Sequence, residues 1–163
     1  MYRDALDFLE EERDAWAPYE ALAGLSDAQL EAPTDPTGPG HGWSARDLMG
    51  HLVAWQERLL AMAMELAVND ASPTRERVEA AWAADPDGVN AASLTEWRAL
   101  PIGEVRRRFT TVPGELRGYL TVVPETRWLK NPQRLATFLG DSTEHYQEHT
   151  VELAAILALA AAG

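Results

Sequence analysis

The sequence predicts an all-α protein, a four-helix bundle with long connections, and three observations carry that prediction. Apolar residues recur at three- and four-residue steps over four long stretches. Capping residues, prolines and glycines punctuate the ends of those stretches. No pair of alternating apolar segments reads as a strand hairpin, and no internal repeat is evident. The 163 residues suit one domain over 1–163 with a proper core, and 46% hydrophobic against 25% charged is an ordinary globular balance.

The first helix is expected from about Asp4 to Ala23, with Leu6, Leu9, Arg13, Trp16, Tyr19 and Leu22 along one face. Pro18 should kink it or tighten its last turn. Gly24 follows, Ser26 can cap a short turn, and the Pro- and Gly-dense segment Pro33 to Gly42 is a loop. The second helix has the clearest start. Ser44 is its N-cap, Asp47 at N3 completes a capping-box-like pair, and Trp43 can staple onto Leu48. Leu48, Leu52, Trp55, Leu59, Met62 and Leu66 then form an apolar stripe that ends near Asn69.

A short helix is expected from Thr74 to Ala83, with a break at Asp85-Pro86-Asp87-Gly88. The third long helix starts between Asn90 and Pro101 and carries Val105, Phe109, Val112, Leu116 and Leu120. Pro113-Gly114 predicts a bend in it, or else a division into two shorter helices. The fourth starts at about Pro132 or Asp141 and runs to Ala162, with Phe138, His145, His149, Leu153 and Ile156 on one face.

Composition narrows the function classes. A formal net charge of -12 repels phosphate backbones and anionic lipid, so neither nucleic acid nor membrane is an expected partner. The chain has no cysteine, which excludes disulfides, iron–sulfur clusters, thiolate ligands and a cysteine nucleophile. Six tryptophans point to a core or pocket rich in aromatic surface. Met1 to Glu12 lacks the apolar run of a signal peptide, and the Ala-rich run Leu153 to Ala162 is too short to span a bilayer. A cytoplasmic location is the expectation.

His145 and His149 stand four residues apart in H-Y-Q-E-H. On a helix that places them roughly 40° apart and about 6 Å along the axis, so two ring nitrogens can meet one ion at about 2.0–2.1 Å. The pair lies on the apolar face, where an unpartnered imidazole is costly. His51, at the inner edge of the second helix's stripe, can face it across the bundle, as metal sites in bundles are commonly built. The alternative is three histidines satisfied by carbonyls and carboxylates. Glu148 is either a general base beside the site, in the order H-x-x-E-H, or a solvated carboxylate. Glu152 is a fourth ligand or an outer acceptor that orients an imidazole. Arg13, inside the first stripe, could pair with Glu152 or bind an anion, or snorkel to the surface. His41 reads as solvent-facing, and Arg106-Arg107-Arg108 as a solvated face.

The string G-W-S-A-R-D-L-M-G-H-L-V-A-W, with H-x-x-x-H about ninety residues on, resembles the DinB-like superfamily, four-helix-bundle metalloenzymes also called YfiT-like. The resemblance runs over nearly the whole chain, including the opening helix and the LSDAQL turn. It implies a metal held by His51, His145 and His149. Asn90 and the stretch WRALPIGEVRRRF look closer to the ClbS/DfsB branch, which includes a self-resistance protein against a genotoxic metabolite.

Three neutral imidazoles leave a coordination position open, as catalytic sites do. The ion expected is Zn or Ni, with Fe and Mn also accepted by imidazole. The implied activities are a small-thiol-dependent S-transferase or a hydrolase acting on a small molecule. The alternatives are a binding or resistance protein, and a stress-response protein whose metal is structural. A low-molecular-weight thiol and a second copy of the chain, as a homodimer, complete the partners the resemblance allows.

Overall fold

A computed structural model describes residues 1–163, and it is all-helical. Helix α1 (Ala5–Trp16) passes at Ala17 into a 3-10 segment, Ala17–Gly24, with Pro18 near its start. The missing proline N–H and its ring thus tighten the end of the first helix. The face it buries differs from the one expected. Phe8, Leu9, Glu12 and Trp16 are buried, while Leu6 and Arg13 are exposed. The stripe is therefore rotated, and the charged residue turned inward is Glu12. Arg13 pairs with nothing at the histidines.

After the short helix α2 (Asp27–Glu31), capped by Ser26, the loop reaches α3 (Ala45–Val68). Its 24 residues make a rod of about 36 Å. The capping box forms: Ser44 Oγ accepts from the Asp47 N–H at 3.2 Å, and Asp47 Oδ2 accepts from the Ser44 N–H at 3.1 Å. Helices α4 (Pro73–Ala84) and α5 (Pro86–Ala99) follow, separated only by Asp85. The expected four-residue break is one residue wide, because Pro86 suits a first helical turn and Asp85 caps the Gly88 N–H. Helix α6 (Ile102–Leu120) then runs unbroken through Pro113, so the division into two helices does not occur. The fourth stretch is broken into α7 (Pro132–Gly140), α8 (Thr143–Glu148) and α9 (Thr150–Ala162).

Helix α3 is the central rod. It packs along α6 and α5 and touches α4, α2 and α9, while α8 lies on α1 and α7. Two apolar cores divide its length. One gathers Trp16, Tyr19, Leu52, Trp97, Phe109 and Tyr146. The other gathers Phe8, Leu59, Leu66, Leu116, Trp128 and Phe138. Gly50 lets α5 approach, since a Cβ there would lie 2.6 Å from Cγ of Trp97. No helix is long and apolar enough to cross a membrane.

Candidate metal centre

The first turns of α3 are held from two sides. Arg98 donates to both carboxylate oxygens of Asp47, at 2.7 and 3.0 Å. Arg46, buried on α3, donates to the carbonyls of Trp97, Arg98 and Leu100, which satisfies the end of α5. His51 follows one turn later at 5% exposure. Across the bundle, α8 is fixed by Tyr146. Its hydroxyl donates to Glu12 Oε1 at 3.0 Å and accepts from Gln56 Nε2 at 2.8 Å. Its carbonyl accepts from the Tyr19 hydroxyl and from the His149 N–H. With that carbonyl taken, the turn tightens and the α-helix breaks at His149, whose φ is -100° and ψ 13°. The H-x-x-x-H pair is thus placed across a helix break, not along one helix as its spacing suggested.

The three imidazoles nevertheless converge. Nε2 of His145 lies 2.8 Å from Nε2 of His51 and 3.2 Å from Nε2 of His149. Ring centroids are 4.7 to 4.9 Å apart. All three residues form one group whose candidate ligand atoms lie within 4.8 Å of one another. Burial, reinforced by the neighbouring imidazoles and by Arg58, pushes His51 and His145 down to about 3. Both rings are therefore neutral at physiological pH, the state in which imidazole ligates.

Three like nitrogens meeting at one point cannot satisfy one another, because two of them share at most one proton. A cation at their centre would take all three lone pairs. Nitrogens bound at 2.0–2.1 Å around a tetrahedral ion lie about 3.3–3.4 Å apart; the His145–His149 pair at 3.2 Å matches that, and the His51–His145 pair at 2.8 Å would open slightly. On the outer side, Nδ1 of each ring is buried without a hydrogen-bond partner. The donor set and its geometry fit a divalent ion.

Glu152 stands on that outer side, its Oε2 3.6 Å from Nδ1 of His149. It is outside the converging group, and at that distance neither its Oε2 nor Nδ1 of His149 is hydrogen-bonded. His41 is solvent-facing as expected, 4.0 Å from the other oxygen of Glu152, with a left-handed φ of 53°. All three arginines of the run are ion-paired, Arg108 with Glu104 at 2.9 Å, and Arg106 and Arg108 are half-buried, so the run is not the solvated face expected. Arg106 ties α6 to Asp27 at 2.6 Å and Arg107 to Glu104 at 2.7 Å.

All three histidines line a cavity of about 550 Å³. Trp43, Trp55, Trp82 and Asn90 form much of its wall. The Trp43 ring stacks on His149 at 5.6 Å and meets His51 edge-on at 5.1 Å. Glu148 lines the same cavity, exposed at its edge. Asp141 lines it too. Burial, with Glu79 adding and Arg58 opposing, pushes its carboxyl up to about 7. In the sequence Asp141 reads only as a helix boundary. No periodicity marks it, since it sits in the turn between α7 and α8. Glu12 and Gln56 were equally unmarked, although each falls four residues from a buried apolar neighbour, Phe8 and Leu52.

The family model of the DinB superfamily matches residues 5–155. No curated protein and no solved structure matches the chain.

Proposed function

The chain belongs to the DinB superfamily, and from that premise we propose that it is a divalent-metal-dependent enzyme that hydrolyses a small molecule in the cavity over His51, His145 and His149. The observation that carries this reading is the exposure of all three histidines to one cavity that also holds three carboxylates, Glu79, Asp141 and Glu148. A purely structural ion would be closed off by protein on every side.

His51, His145 and His149 would hold the ion through Nε2. When bound, it supplies Lewis acidity toward a substrate carbonyl and makes nearby water more acidic. The remaining tasks fall to the chain. Glu148 takes a proton from the attacking water. The Glu148 carboxyl then returns that proton to the leaving group. Trp43 packs over the imidazoles and limits the water that reaches them.

A small-thiol transferase is the nearest rival, and it needs no carboxylate base. Glu148→Gln keeps the shape and removes the base. In the hydrolase it should lower turnover by about 10²–10⁴ with metal content unchanged. The assay is a panel of amide, ester and thiol-acceptor substrates with wild type beside the variant. An unchanged rate in every assay returns Glu148 to the solvated surface and favours the transferase.

A second reading, capture or slow hydrolysis of a toxic small molecule in the manner of the ClbS/DfsB branch, is favoured by the aromatic wall. There Asn90 Oδ1 stands 3.4 Å from the Trp55 indole Nε1. Tight binding without multiple turnover would support it.

A further inference from the structure

The cavity has a polarity of its own. The histidines lie at its inner end, and an aromatic file leads away from them. His145 and Trp55 are 6.1 Å apart by ring centroids, and Trp55 and Trp82 are 5.2 Å apart, both edge-on. Trp82, on α4, keeps 42% of its surface exposed at the rim. A large exposed indole at a cavity mouth is a ready contact for a ligand.

Charge is distributed as unevenly as shape. The wall includes the carboxylates of Glu79, Asp141 and Glu148, and neither Lys nor Arg lines it. Two arginines stand near the wall, and Arg58 has no carboxylate partner in an ion pair. Arg75 pairs with Glu79 at 2.7 Å and reaches Thr137. Arg58 stacks over Trp55 at 4.2 Å and donates to Ser93. The whole chain carries a net charge of -12, so its field draws cations and repels anions. Indole faces attract an organic ammonium as well as apolar surface.

We infer that the cavity takes an organic cation, a small molecule with an apolar body lying along Trp55 and its ammonium end held at the Trp82 rim beside Asp141. The reactive group would then reach the histidines, and the ammonium would stand off from the ion. An anionic thiol meets the opposite field. This inference rests on the cavity being the substrate's place, as proposed above, and not on the hydrolytic step.

The test is a calorimetric titration of the full chain, both chelator-treated and zinc-loaded, with three probes: benzyltrimethylammonium, benzyl alcohol and phenylacetate. The cation should bind about tenfold or more tightly than either comparator. Trp82→Ala should weaken it by about 5- to 30-fold. Trp82 is half exposed, so helical circular dichroism should be unaltered in that variant. Asp141→Asn should weaken the cation several-fold and leave benzyl alcohol unaffected. Equal binding of the three probes to the chelator-treated chain, tighter binding of phenylacetate to that chain, or full affinity in both variants would overturn the inference. Cation binding without turnover of any ester or amide sustains it while sinking the hydrolase reading, so the two fail separately.

Discussion

His145 and Tyr146 are neighbours on α8, yet they enter two polar clusters of opposite character. Tyr146 joins a chain in which Arg117 donates to Glu12 at 2.5 Å, Tyr146 donates to Glu12, and Gln56 donates to Tyr146. Donors meet acceptors at every contact, and only Gln56 Oε1 and Arg117 Nη2 are left over. His145 joins His51 and His149, where three identical nitrogens face one another and every Nδ1 is orphaned. Both clusters are buried and both link α3 to α8. The first is complementary and holds the bundle. The second turns three lone-pair-bearing nitrogens toward one point, an arrangement a bound cation would complete.

The largest effects should divide along that line. His51→Ala should remove most of the metal, because the two remaining ligands flank a helix break and hold an ion poorly against buffer. Elemental analysis of untagged protein reads this directly. Glu12→Ala should leave metal content intact and lower stability by about 2–4 kcal/mol, since it leaves Arg117 and Tyr146 facing an empty partner. Urea midpoints measure that loss. If both variants lose metal and stability alike, the clusters are one unit and the comparison fails.

The contrast explains what could be read from sequence. The capping box at Ser44 and the stripe of α3 are local signals, and the structure keeps both, so His51 was placed from sequence alone. The pairing of His145 with His149 was legible as spacing, but the helix break between them was not. That break arises because the Tyr19 hydroxyl, more than a hundred residues away, takes the Tyr146 carbonyl. The inward turn of Glu12 was hidden for a similar reason. An acidic residue is buried there only because Arg117 and Tyr146 arrive from other helices. Local periodicity carries no record of such partners.

Acid should act on the two clusters with opposite signs. In chelator-treated protein His51 and His145 sit at about 3, below their ordinary 6.5. Between those values the unfolded chain holds protons that the folded chain does not. Their contribution to stability is therefore present above about 6.5 and is lost as pH falls toward 3. Glu12 is held above its ordinary 4.5, chiefly by burial. The folded state keeps that proton longer, so its contribution is present below 4.5 and is lost as pH rises through the folded value. The margin of wild type over His51→Asn should thus shrink as pH falls. The margin over Glu12→Gln should shrink as pH rises. Urea midpoints from pH 4 to 8 give both slopes, and slopes of one sign would refute the assignment.

The smallest effect is that of the ion on the fold. Two apolar cores flank the histidines, so a chelator should lower the melting temperature by about 5–10 °C while the helical signal survives at room temperature. Collapse of that signal would make the ion structural.

His51, His145 and His149 are expected to hold one divalent ion through Nε2. X-ray absorption at the edge of whichever metal elemental analysis finds, on untagged protein, tests it most directly. The expected spectrum shows about one ion per chain, with about three imidazole nitrogens at about 2.0–2.2 Å and lighter oxygen scatterers completing the shell. A spectrum of oxygen ligands without imidazole scattering, or a chain that takes up no ion at neutral pH, would contradict it.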